Sequence, residues 1–163
     1  MLVVLAFTYG PGGAEQRVYS ALRDFGRQLH ETLGLSVFTL VLLRLAWRAL
    51  DVTPDDSSTP RWMRVSSRMV HVILYALLLL LPLTAISGTW LEGHPLTLLG
   101  GIRIGPWLRE VHSLGSSIAT LHTWLGDTIL WVAGVHAAAA LYHHFVLRDR
   151  VLRSMLPGLA NEA

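Results

Sequence analysis

Between Arg68 and Glu92 the chain runs from Met69 to Leu91 without one charged residue. Coiled as a helix at 1.5 Å per residue, that run is about 34 Å long, enough to cross a hydrocarbon core of about 30 Å. No other single feature restricts the fold as much. A soluble domain of this size is not expected to be so apolar, and the composition agrees: 163 residues, 52% hydrophobic, only 15% charged, with a mean hydropathy of +0.47. The chain belongs in a bilayer, with membrane lipid as its first partner.

Two further stretches have the same character. Leu29 to Trp47 is apolar, with His30 near its start and Arg44 near its end, and Val111 to Leu147 is almost wholly apolar and carries His122 and His136. The TPDDSSTP run from Thr53 to Pro60 breaks helices and predicts a solvated loop. Pro82 lies inside the third apolar segment and predicts a kink there. Gly88 to Trp107 reads as a Gly- and Pro-rich connection, with Trp90 and Trp107 favouring the membrane interface. Met1 to Tyr9 is apolar but reaches only about 14 Å as a helix. It has no basic region ahead of it, as a signal peptide would, and is expected to be the outer half of a membrane helix whose beginning is missing. The expectation is an all-α, integral membrane, up-down four-helix bundle with a truncated first helix. It forms one domain over 1–163, with helices at roughly 1–9 (partial), 29–48, 66–89 and 113–147.

There is no cysteine, so disulfides, thiol catalysis and Cys-ligated iron–sulfur clusters are excluded. All thirteen basic residues are arginine. They stand in short clusters beside apolar runs instead of forming a basic arm with interleaved aromatics, which argues against nucleic acid. Eight fall in the connection after the second helix and in the tail, against five in the alternate connections. The positive-inside rule then places the C-terminus in the cytoplasm.

The histidines carry the chemistry. His122 and His136 are fourteen residues apart; at 100° per residue they return to within about 40° of one direction, and they lie about 21 Å apart along the axis. Two imidazoles on one helix face at two depths suit two stacked haems, and Ala137 to Ala140 leave room beside His136 for a flat macrocycle. With antiparallel helices, His30 and His122 stand at matching depth near the outer face. They can fill both axial positions of one iron, leaving no vacancy for oxygen and favouring one-electron transfer. His71 is the candidate at the depth of His136. Taken singly, His71, His94 and His112 read as structural or interfacial, while the role of His143 and His144 stays open, with interface anchoring ahead of ligation. Arg44, fourteen residues after His30, either pairs with a haem carboxylate or snorkels to the headgroups. Asp127 is expected to point away from the ligand face.

The runs LHETLGLSVFTLVLLRLAWR, HVILYALLLLLPLTAISG, EGHPLTLLGGIRIGPW and above all LHTWLGDTILWVAGVHAAAALYHHFVLRDRVLRSMLP resemble the bacterial cytochrome b561 family, four-helix dihaem cytochromes of the inner membrane that include superoxide:ubiquinone oxidoreductase. The resemblance implies that His30 and His122 bind one haem b and that His136 binds a second. It implies a fourth ligand near the beginning of helix 1, a stretch that Met1 already lies past, with His71 as a substitute that the family pattern does not supply. It also implies electron transfer between the outer side and the quinone pool. The leading expectation is oxidation of superoxide coupled to reduction of ubiquinone, with Arg103 and Arg109 drawing the anion. The alternatives are a cytochrome subunit that takes electrons from a docked dehydrogenase or hydrogenase, and a haem-free membrane interaction protein.

Overall fold

The computed structural model of the protein describes residues 1–10, 25–50 and 61–147. The 53–60 loop, Arg17, Arg23 and the arginines of the tail lie outside the described residues. Among the described residues the α-helices are, in order, α1 (Leu2–Thr8), α2 (Phe25–Leu50), α3 (Arg61–Leu91) and α4 (His112–Tyr142), the last followed by a π-helical turn, His143–Leu147. Between α3 and α4 lies a two-stranded antiparallel hairpin, β1 (Leu96–Thr97) and β2 (Arg103–Ile104). The contacts divide the chain into two compact units, 1–129 and 130–163.

α2, α3 and the α4 segment extended to Val146 are long and apolar enough to cross a membrane. In the most apolar stretch of each, only 6%, 17% and 6% respectively is buried inside the chain. Trp47, Leu43, Leu83, Trp124 and Trp131 are all at least half exposed. Apolar surface on this scale is stable only against lipid, so the interior of the protein is small and the bilayer completes it. Hydroxyl groups inside the spans are accommodated locally. Ser36 donates to Thr32 O, Thr39 to Leu35 O, Ser87 to Leu83 O and Thr128 to Trp124 O, each at 2.7–3.0 Å. None of these hydroxyls then needs a partner from the hydrocarbon.

Within the first unit, the end of α3 and the start of α4 meet through small residues. A Cβ placed on Gly115 would lie 2.9 Å from Glu92 N, and one on Gly88 would lie 3.4 Å from Ala119 N. Val111 N donates to Leu91 O at 2.9 Å, closing the base of the connection. The pairs 115 with 92, 119 with 88 and 122 with 84 run in opposite directions along the two helices, so the contact continues down to His122. Pro82 is buried within α3, and the helix continues through it to Leu91.

The connection is more ordered than its Gly and Pro content suggests. Leu96 pairs with Ile104 and Thr97 with Arg103, and the turn between them is closed by Leu98 N on Ile102 O at 2.8 Å and by Gly101 N on Leu98 O at 3.1 Å. Gly100 and Gly101 take φ of +83° and +79°, a conformation that side chains with a Cβ resist. Trp90 and Trp107 stack with ring centres 5.6 Å apart.

Candidate functional site

The cavity of interest lies within the first unit and has a volume of about 710 Å³. α1 contributes Ala6 and Phe7 to its wall, α2 His30 and Glu31, α3 Leu81 and Thr84, α4 His122 and Asp127, and the hairpin segment Leu96 and Leu98. Its size suits a bound cofactor. Every element before residue 130 that the structure describes, except β2, therefore meets around one space.

His30 and His122 face each other there, with ring centroids 6.1 Å apart and ring planes at 89°. Each ring is anchored on the side of Nδ1. His30 Nδ1 lies 2.6 Å from Ala6 O. His122 Nδ1 lies 2.9 Å from Leu81 O and 3.2 Å from Thr84 Oγ1. A carbonyl oxygen only accepts, so both bonds require the proton on Nδ1, and the lone pair of each neutral ring is then on Nε2. This is the tautomer a metal-binding imidazole needs, held by the kind of backbone partner that fixes such rings. Gly10 packs close to the His30 ring, since a Cβ there would lie 3.4 Å from its Cε1.

The spacing tests the fit of a haem. Two imidazole nitrogens each about 2.0 Å from one metal, with about 1.1 Å from nitrogen to ring centre, put the ring centres about 6.2 Å apart. The observed 6.1 Å agrees, so the donor set and its separation fit a bis-imidazole iron. Among the described residues no group of three or more His, Cys, Asp or Glu is gathered as a metal cage. A haem needs none, because the porphyrin supplies four of the six ligands.

The other sequence candidates lie elsewhere. Arg44 does not line the cavity; its Nε donates to Tyr75 Oη at 3.0 Å, tying α2 to α3. His71 is on α3, outside the cavity wall. His136 is half-buried on α4 in the second unit, and His143 and His144 lie in the π turn, where they pack against Tyr142 and Phe145. Asp127, five residues and so about 140° round α4 from His122, also lines the cavity. The cavity spans a broad arc of α4 that includes Thr123, Gly126 and Ile129, so a direction well off that of His122 still meets it.

Glu31 escaped the sequence reading. It accepts from Arg27 Nη1 at 2.8 Å and from the amide of Thr97. Its sequence signal was an acidic residue inside a spanning segment, four residues after an arginine. Ala6 O and Leu81 O leave no such signal, since any residue supplies a carbonyl.

The profile of the family described as prokaryotic cytochrome b561 matches residues 1–158. The chain belongs to that family. It is a bacterial membrane haem protein of the cytochrome b561 type, an electron carrier that binds b-type haem. It is 30% identical over 159 residues to cytochrome b562 of Cereibacter sphaeroides, covering 94% of this chain and 85% of that protein. It is 29% identical over 133 residues to the probable superoxide oxidase CybB of Yersinia pestis, covering 80% and 74%. It is 25% identical over 130 residues to cytochrome b561 homolog 2 of Escherichia coli, covering 79% and 69%. Membership disposes of a haem-free interaction protein.

Proposed function

We propose that His30 and His122 are the two axial ligands of one haem b and that the protein carries electrons from the outer side of the membrane to ubiquinone, with superoxide as donor. The facing rings at 6.1 Å, with both Nδ1 atoms anchored, carry this reading. A bound haem would be held by His30 and His122 and would supply a one-electron couple. Two superoxide anions give up one electron each and leave as two molecules of oxygen, while one ubiquinone takes up two electrons and two protons to become the quinol. The chain holds its imidazoles in one tautomer through Ala6 O and Leu81 O, and it walls the cavity with Leu78, Leu81, Ile86 and Ile129, which keep water off the site. His136 is proposed as a ligand of a second haem b, with His71 the candidate partner. Arg44 is proposed to serve a haem carboxylate or the headgroup layer from its place beside Tyr75. The proposed orientation puts the hairpin outside and the C-terminus in the cytoplasm, from the distribution of arginines.

Purified protein in detergent is expected to show a low-spin b-type spectrum and to reduce ubiquinone stoichiometrically with a superoxide source and no other protein. Haem without superoxide-dependent reduction would make it instead the cytochrome subunit of a dehydrogenase or hydrogenase complex.

Arg103 and Arg109 are exposed on the hairpin side, while Glu110 folds back beside Gly93. Neutralising both arginines is expected to slow reaction with superoxide roughly three- to tenfold at low ionic strength, to lose that effect in high salt, and to leave the haem spectrum unchanged. Equal rates at low salt would remove steering from the account.

A further inference from the structure

We propose that Glu31 is a positioning residue that latches the hairpin across the His30–His122 cavity, so that the outer access to the site is set from the residue next to His30. The idea rests on the site proposed above and extends it to the chain's own cover.

The hairpin is too short to hold itself. β1 and β2 pair over only Leu96 with Ile104 and Thr97 with Arg103, and an isolated two-stranded ribbon is marginal even when longer. Backbone amides along an extended strand alternate in direction. Leu98 N turns inward to β2, bonding Ile102 O, so Thr97 N and Leu99 N turn to the other edge, where a third strand would lie. Among the described residues no strand is there; α2 is. Glu31 Oε2 accepts from Thr97 N, and Thr32 Oγ1 accepts from Leu99 N at 2.9 Å. Two consecutive side chains of a helix thus satisfy the open edge of a β-strand.

Both acceptors are themselves fixed. Glu31 Oε1 takes a charge-assisted bond from Arg27 Nη1 at 2.8 Å, one turn earlier on α2. Thr32 Oγ1 donates its own proton to Gln28 O at 2.7 Å, which leaves its lone pairs directed to Leu99. The latch has a consequence at the cavity because the strand it holds contributes Leu96 and Leu98 to the wall, and Leu96 and Thr97 are buried. If the strand lifts, two apolar side chains leave the wall and water enters beside His30. The ring of His30 is not held by Glu31. It is held by Ala6 O, so loss of the latch should open the site without removing the ligand.

The test is amide-resolved hydrogen exchange on the full chain in detergent, with the haem spectrum recorded on the same samples. Glu31→Ala is expected to speed exchange at Thr97 and Leu99 at least tenfold, to leave α4 amides around Ala119 unchanged, and to keep the low-spin spectrum while reduction by dithionite becomes about threefold faster. Should Glu31→Ala fail to fold, Thr32→Val and Glu31→Leu decide the matter: faster exchange centred on Leu99 in the first and on Thr97 in the second supports the latch. Unchanged exchange at both amides in these variants overturns it. A wild-type protein without a bis-histidine spectrum would sink the ligand assignment and leave the exchange result to judge the latch by itself.

Discussion

Purified His30→Ala and His122→Ala variants are expected to lack the same low-spin haem, and the double variant to lose no more than either single one. The expectation follows from the proposal that each ring supplies one of two bonds to a single iron. The rings face each other at 6.1 Å, and among the described residues no third imidazole lines the same cavity. With one ring removed, a single imidazole would be left to hold the haem, and the expected spectrum is high-spin and carbon-monoxide-reactive, or haem is absent. The measurement is the haem-to-protein ratio together with the reduced-minus-oxidised spectrum of each variant. Complementary losses, with one haem gone in His30→Ala and a different one in His122→Ala, would show that the rings serve separate irons. A normal low-spin spectrum in either single variant would remove that residue from the ligand set.

Much of this site was legible in the sequence, for a physical reason. A membrane span tolerates an ionisable group only at a cost, so each histidine in an apolar run stands out, and helix periodicity then gives its direction and depth. His30 and His122 could be paired on those grounds alone. The partners of the rings could not. Ala6 O and Leu81 O are backbone atoms, and their reach depends on how α1 and α3 pack, which no periodicity encodes. The hairpin was hidden for a related reason: two residue pairs give too short an alternation to register as strands, and their edge is completed by side chains of α2. Helix limits shifted by a few residues at most ends. α3 begins at Arg61, ahead of the apolar run, because Arg61, Arg64 and Arg68 continue the helix into the headgroup layer without needing to be apolar.

Gly115→Leu is expected to empty the cavity of haem although it touches neither ligand. Gly115 is the point where the first turn of α4 meets the last turn of α3: a Cβ there would lie 2.8 Å from Glu92 Cγ, 2.9 Å from Glu92 N and 3.0 Å from Leu91 C. Two of those neighbours are backbone atoms, which cannot swing aside as a long side chain would. They are also pinned, since Val111 N bonds Leu91 O at 2.9 Å. Even alanine needs about half an ångström of extra separation, and leucine considerably more, with about 1–3 kcal/mol of overpacking. The displaced element is α4, and His122 lies seven residues, almost two full turns, further along the same face. A shift of that size exceeds the tolerance of about 0.5 Å within which a binding constellation holds its geometry. It also stretches the bond from His122 Nδ1 to Leu81 O that fixes the tautomer. Gly115→Ala should therefore retain haem weakly and lose it on gel filtration, and Gly115→Leu should carry little or none, while helical circular dichroism of both stays near that of the parent. Gly134→Ala is the control on the same helix, because nothing lies within 4 Å of a Cβ placed there, and it should leave the His30–His122 haem intact. Parental haem content in Gly115→Leu would mean that α4 is positioned by contacts other than its crossing with α3.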